Sequence, residues 1–259
     1  MASKKSLPIS GTITVTVIVV VLAPPALLDQ TAEFKATFLK KCADFKVDKQ
    51  TCDSKWYMFE KAYVGKKETD VTETSYQELF DKTPFTQPCG KIMLWSGLNG
   101  LANRFTKNRD DFFTLADTLL GHVLDGLTWC GKKGSKETFT SGCSTNKPNA
   151  VLSFWIMASI KFAQYTCGRV TLMLDGDQDK PYDENRIFGK YELPNLQSPR
   201  VKSLKVILVV TKIDGPKCAH NSLKNLSNIL KGKKISYSCL ALTRKDIEKC
   251  IKERKGACW

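Results

Sequence analysis

The sequence predicts a mixed fold, α+β with an α/β part: a mainly helical N-terminal lobe over residues 30–167 and a small C-terminal α/β lobe over 168–259, with a short parallel sheet and a cleft between the lobes. Three observations predict it. In the first stretch aromatic residues recur at helical spacing, whereas beyond Cys167 short β-branched runs alternate with a helical pattern, as in strand–helix–strand units. Ten cysteines spread over 259 residues imply a disulfide frame. A chain of this length can bury a substantial core, and it suits one large domain or two modest ones that share a cleft.

The chain begins Met1-Ala-Ser-Lys-Lys5 and continues uncharged from Ser6 to Leu28. Residues 1–29 therefore read as a secretory signal peptide, with Ala23 or Ala26 near the cut, or as a type II membrane anchor. Either reading places the remainder in a secreted, lumenal or extracellular setting, the oxidising compartment that the cysteines also imply.

Phe34, Phe38, Cys42 and Phe45 predict a helix from Gln30 to Phe45, and Trp56, Phe59 and Tyr63 predict a second, so that Cys42 and Cys52 would staple a hairpin. A polar stretch, Gly65 to Asp70, leads to a short helix around Tyr76 to Phe80. Ile92–Trp95 is a brief extended run, after which Leu98, Leu101, Ala102 and Phe105 share one helical face. Thr114 and Asp117 have the spacing of a capping box and predict a helix start at Thr114, ending before Trp129. The Gly131–Asn149 stretch reads as a loop pinned by Cys143, and a long helix from Asn149 to Tyr165 carries Trp155. Val170–Leu174, Leu204–Thr211 and Ile235–Leu240 predict strands, with a helix over Ser222–Leu230. Ligands of open α/β sheets sit beyond the carboxyl ends of strands, which makes Asp175–Glu192 the functional loop.

Several classes drop out. A net charge of +14 and a pI near 9.3 would attract polyanions, nucleic acid first. The lysines nevertheless come only in short pairs such as Lys40-Lys41 and Lys233-Lys234, without an arginine-rich or zinc-finger motif. They read as a solvated surface, and no nucleic-acid partner is expected. With two histidines, His122 and His220, and no Cys-x-x-Cys, no metal site is expected either. There is no Gly-x-Gly-x-x-Gly, P-loop or Gly-x-Ser-x-Gly. Asp175-Gly-Asp177-Gln-Asp179 imitates the start of a calcium loop, but Lys180 and Arg186 stand where that loop needs Gly and Glu, so it reads as a polar turn. Asn225-Leu-Ser227 is one glycosylation sequon.

Glu192 stands alone among apolar and turn-forming neighbours in Phe188-Gly-Lys-Tyr-Glu-Leu-Pro-Asn-Leu196, either as a solvated acid on a strand or turn or as a catalytic group. With Leu94-Trp-Ser-Gly97, Thr114-Leu-Ala-Asp-Thr-Leu-Leu-Gly121, Leu127-Thr-Trp-Cys-Gly131, Phe154-Trp155 and Met173-Leu-Asp-Gly176, this string resembles the ordered motifs of the ADP-ribosyl cyclase family over residues 35–258. The motif Phe188–Leu196 resembles the molluscan members most.

The resemblance implies cleavage of NAD, and of NADP, at the nicotinamide–ribose bond, giving cyclic ADP-ribose and ADP-ribose with no bound cofactor. It implies Glu192 as the catalytic carboxylate and Trp95 and Trp155 as aromatic walls. Ser96 and the segment Arg186-Ile187-Phe188 would meet the diphosphate, Ile187 lying where members differ in bulk, and Asp125 and Ser159 would line the pocket. It also implies the pairs Cys42–Cys52, Cys89–Cys167, Cys130–Cys143, Cys218–Cys239 and Cys250–Cys258. One departure stands out: Ala116 occupies the position of a family glutamate on the nicotinamide side. The alternatives are a predominantly hydrolytic NAD glycohydrolase and a turnover-poor secreted nucleotide-binding protein. The expected partner is a small nucleotide substrate; an N-terminal membrane anchor and a homodimer stay open.

Overall fold

The structure, a computed structural model, describes residues 30–107, 109–146, 148–215, 217–253 and 258–259. The signal or anchor reading of residues 1–29 lies outside them. Among the described residues no helix is long and apolar enough to cross a membrane.

Helices α1 (Gln30–Asp44) and α2 (Lys49–Lys61) form the expected hairpin, closed by Cys42–Cys52. Asp48 starts α2 by accepting the Thr51 N–H at 2.9 Å. The helical stripe buries Phe34, Phe38, Trp56 and Phe59 in an aromatic cluster that also takes in Tyr76, Trp129 and Phe154. The polar tips of the cluster are satisfied: Trp129 Nε1 donates to the Tyr76 hydroxyl at 2.9 Å, and that hydroxyl donates to the Ala150 carbonyl at 3.0 Å. The short helix α3 spans Gln77–Asp81.

β1 is Ile92–Ser96 and α4 is Asn99–Thr106. The helix expected from Thr114 divides in two. The Thr114–Asp117 box closes a single 3-10 turn, Leu115–Asp117, and α5 (Leu119–Leu124) restarts under its own cap, Thr118, which accepts the Gly121 N–H. Gly121 lies so close to the Leu115 carbonyl that any side chain there would collide with it. Helix α6 (Ala150–Tyr165) follows, capped by Asn149.

The remaining elements are β2 (Gly168–Asp175), β3 (Val201–Val210), α7 (Asn221–Gly232), β4 (Ser236–Thr243) and α8 (Arg244–Glu253). α8 has no counterpart among the expected elements. The four strands form one parallel sheet in the order β1-β2-β3-β4, with Trp95 beside Met173, Met173 beside Ile207 and Ile207 beside Leu240. β1 comes from the mainly helical stretch, so the sheet draws on both parts of the chain.

Alternate residues face two cores. Leu94, Leu172 and Leu208 join the core of α1, α2, α6 and α7, whereas Met93, Met173 and Ile207 join a smaller one with Leu101 of α4, Ile247 of α8 and Trp259. Burial on both faces of β3 explains why Val206–Val210 reads as a continuous apolar run. All five expected disulfides are present.

Candidate active site

The strands deliver their carboxyl ends to one rim. β1 ends in Trp95-Ser96, and Gly97 follows at φ 78°, a left-handed turn suited to glycine. A Cβ on Gly97 would stand 3.1 Å from the guanidinium of Arg186, so Arg186, from the loop after β2, lies against the turn after β1. Arg186 also donates to Gln178 Oε1 at 3.2 Å and pairs with Asp183 at 3.8 Å. Ser96, half-buried, sits one residue before that turn. A hydroxyl and a planar cation thus stand at adjoining turns, chemistry suited to an oxyanion.

The loop closes on a π-turn, Phe188–Glu192, continued by a 3-10 turn, Leu193–Asn195. Glu192 is therefore on neither a strand nor a polar turn. Gly189 makes the tight approach possible, since a Cβ there would collide with the Asp183 carbonyl. The Phe188 ring is buried and packs edge-on against Tyr182 at 6.2 Å, so only its backbone is left for a ligand. Ile187 stands 37% exposed beside it.

Glu192 is buried at 7% exposure, and its Oε2 has no hydrogen-bond partner among the described residues. Burial pushes its carboxyl up to about 7, opposed by a hydrogen bond with Ser159. Ser159 comes from α6 and is itself buried, one turn beyond Trp155. Because α6 leads directly into β2 and runs against it, the helix's first turns, with Trp155, lie toward the carboxyl ends of the strands. Trp155 is half-buried on the larger core, edge-on to Phe154 at 5.2 Å, while Trp95 is half-buried on the smaller one. The two indoles thus approach from opposite faces of the sheet.

Ala116 is half-buried in the 3-10 turn, which packs on α6. The neighbouring Asp117 is committed to the capping box: its Oδ2 accepts the Thr114 N–H at 2.7 Å and the Thr114 hydroxyl at 2.8 Å. Asp125 is exposed at the end of α5, where its carbonyl accepts from Lys41 Nζ at 2.8 Å; its described contacts are with α1 rather than with Glu192. Asp177 proves to be a tie: it accepts from the Thr211 N–H and hydroxyl at the end of β3. Asn195, Gln164 and Lys233 all engage the Glu192 segment or its direct partner. Asn195 lies inside the Phe188–Leu196 motif, whereas Gln164 and Lys233 carry no sequence signal. Among the described residues no group of three His, Cys, Asp or Glu side chains is placed to hold a metal.

The family model for ADP-ribosyl cyclase matches residues 31–258. The ADP-ribosyl cyclase/cyclic ADP-ribose hydrolase of Aplysia californica is 32% identical over 235 residues, covering 85% of this chain and 83% of that protein. ADP-ribosyl cyclase/cyclic ADP-ribose hydrolase 1 of Oryctolagus cuniculus is 33% identical over 196 residues, covering 73% of this chain and 66% of the rabbit protein. Among solved structures, porcine CD38 with a covalent intermediate, ribo-F-ribose-5'-phosphate, superposes with a TM-score of 0.75 at 32% identity, over 83% of this chain and 97% of that one. Aplysia cyclase with substrate NGD and product cGDPR gives 0.74 at 30%, over 87% and 97%. The family model, the relatives and the solved structures agree over most of the chain, and the chain belongs to the ADP-ribosyl cyclase family.

Proposed function

We propose that the protein cleaves NAD, and NADP, between nicotinamide and ribose, and forms cyclic ADP-ribose and ADP-ribose. The observation that carries this reading is the buried Glu192 carboxyl with an unpartnered oxygen, hydrogen-bonded to Ser159 of α6, in a chain of this family. As the C–N bond breaks, its electron pair goes to the nicotinamide ring, which leaves neutral and needs no general acid. Positive charge develops on the ribosyl carbon and its ring oxygen. Ionised Glu192 stabilises that charge from a water-poor site, where the interaction is stronger than in water.

The adenine of the same molecule then attacks the ribosyl carbon to close cyclic ADP-ribose. Alternatively water attacks, loses a proton and gives ADP-ribose. Trp95 and Trp155 offer flat apolar surfaces for the two rings, and Arg186 with Ser96 suits the diphosphate. Ala116 offers the carboxamide no acceptor, and Asp117 is already engaged. This predicts weaker recognition of nicotinamide rather than silence. The disulfides support a secreted, lumenal or extracellular site of action, with a type II anchor in residues 1–29 as the alternative.

Incubation of the purified protein with NAD, with chromatographic separation of products, tests the reading against Glu192→Gln at matched fold. Consumption by the parent alone supports it, and the cyclic-to-linear ratio divides cyclase from glycohydrolase. A folded parent that leaves both NAD and NADP intact would point to a nucleotide-binding protein instead.

A further inference from the structure

The segment that carries Glu192 is an unusual piece of backbone. A π-turn followed by a 3-10 turn has poorer hydrogen-bond geometry than an α-helix, and Pro194 within it has no N–H to donate. Such a segment keeps one conformation only if its surroundings determine it. Its last carbonyls need donors, and three of them have side-chain donors. Asn195 Nδ2 donates to the Tyr191 carbonyl at 2.8 Å, and Gln164 of α6 in turn donates to Asn195 Oδ1 at 3.1 Å. Lys233 Nζ donates to the Pro194 carbonyl at 2.9 Å and to the Leu196 carbonyl at 3.3 Å.

Lys233 is the C-cap of α7, and the opposite end of the same helix holds the approach to the segment. There the Ser222 hydroxyl accepts the Tyr182 N–H at 3.3 Å and is held by His220 Nδ1 at 2.8 Å. Tyr182 packs on Phe188, the first residue of the π-turn. Lys234 sits at φ 59°, the left-handed conformation that ends a helix, and the Ile235 N–H returns to the Leu230 carbonyl at 2.9 Å. A non-glycine residue accepts that conformation at some cost. The result is a helix end that points the Lys233 ammonium at the carbonyl end of a second, shorter helical run, where a cation is favoured.

We infer that α7 is a splint for the Glu192 segment, holding its carbonyl end through Lys233 and the chain leading into it through Ser222 and Tyr182, and that Lys233 is a positioning residue for Glu192. This rests on the proposed role of Glu192 for its kinetic consequence, although the splint itself is a matter of structure. Lys233 acts through the Pro194 and Leu196 carbonyls and touches no substrate. Its loss frees the carbonyl end of the segment, and Glu192 then samples positions displaced from the reacting ribose.

The experiment compares the parent with Lys233→Met, Lys233→Arg and, as a control on the same helix, the exposed Lys231→Met. Two readouts are taken: amide exchange of residues 182–196 by mass spectrometry, and kcat and KM for NAD. Lys233→Met is expected to speed exchange in 182–196 selectively and to lower kcat about tenfold with KM within about twofold, the signature of a misplaced group rather than of lost binding. Lys233→Arg, which can reach both carbonyls, restores both readouts, and Lys231→Met leaves both unchanged. If Lys233→Met does not fold, Asn195→Ala tests the same carbonyl end from inside the segment. Unaltered exchange in 182–196, exchange that rises equally in β4 and α6, or an equal effect of Lys231→Met would overturn the splint. A parent that exchanges as described but leaves NAD intact would overturn the proposed function while leaving the splint standing.

Discussion

Asp177 and Glu192 stand near the two ends of the loop that follows β2, and they have opposite fates. Asp177 is exposed and accepts the Thr211 N–H and hydroxyl at 2.9 and 2.7 Å. These donors hold its carboxyl below the usual carboxylate range. Glu192 is buried, has one oxygen without a partner, and is pushed up to about 7 by burial. One acid is spent on holding the loop in place. The other is kept at a cost in stability, and its unmet capacity is what the proposed chemistry draws on.

Replacing Glu192 with Gln should break the comparison most severely, lowering kcat for NAD by about a thousandfold. The same change should stabilise the fold at alkaline pH. Folded Glu192 binds its proton more tightly than the unfolded residue does, so stability falls as pH rises from about 4.5 to about 7 and the penalty persists above that. Removing the group should therefore raise stability at pH 8 by at most about 3 kcal/mol and change it little at pH 4, as denaturant melts at the two values would register. Next in size is the pH profile. For the parent, kcat/KM for NAD should rise about tenfold per unit at low pH, bend near 7 and level off, because the ionised carboxylate is the working form.

Ala116→Glu asks whether a second acid near the site becomes structural or functional. Asp117 already fills the capping box, so the new carboxylate has no such role to take, and KM for NAD should fall about tenfold. Asp177→Ala should have the smallest effect: about 1 kcal/mol of stability, with kcat changed less than about fivefold.

Much of the fold could be read from pattern. Phe34, Phe38, Trp56 and Phe59 announce α1 and α2, and the run of apolar residues at 206–210 announces a strand buried on both faces. Other parts could not be read so easily. α8 was hidden by its charge: only Ile247 among its residues is fully buried, although Thr243 and Asp246 exchange the hydrogen bonds of a helix start. β1 was visible as an extended run, but its place in the sheet depends on pairing with residues far along the chain. The π-turn has no periodicity of its own to detect. For the site, motifs pointed to Glu192, Trp95 and Trp155, whereas Gln164 and Lys233 act through contacts between distant parts of the chain that no local pattern records.

The parallel sheet also imposes an order on biosynthesis. β1 ends at Ser96, and the strand that pairs with it begins only at Gly168. A chain emerging from the ribosome therefore presents Ile92, Met93 and Leu94, all buried in the finished protein, well before their neighbour has been made. Non-local pairing of this kind is intrinsically slow, and the waiting strand is a natural client for a chaperone. Cys89 and Cys167 stand just ahead of the two strands, 78 residues apart in sequence and 5.0 Å apart at Cα. Their oxidation is a timestamp, marking the moment at which the entrances of the two strands have met.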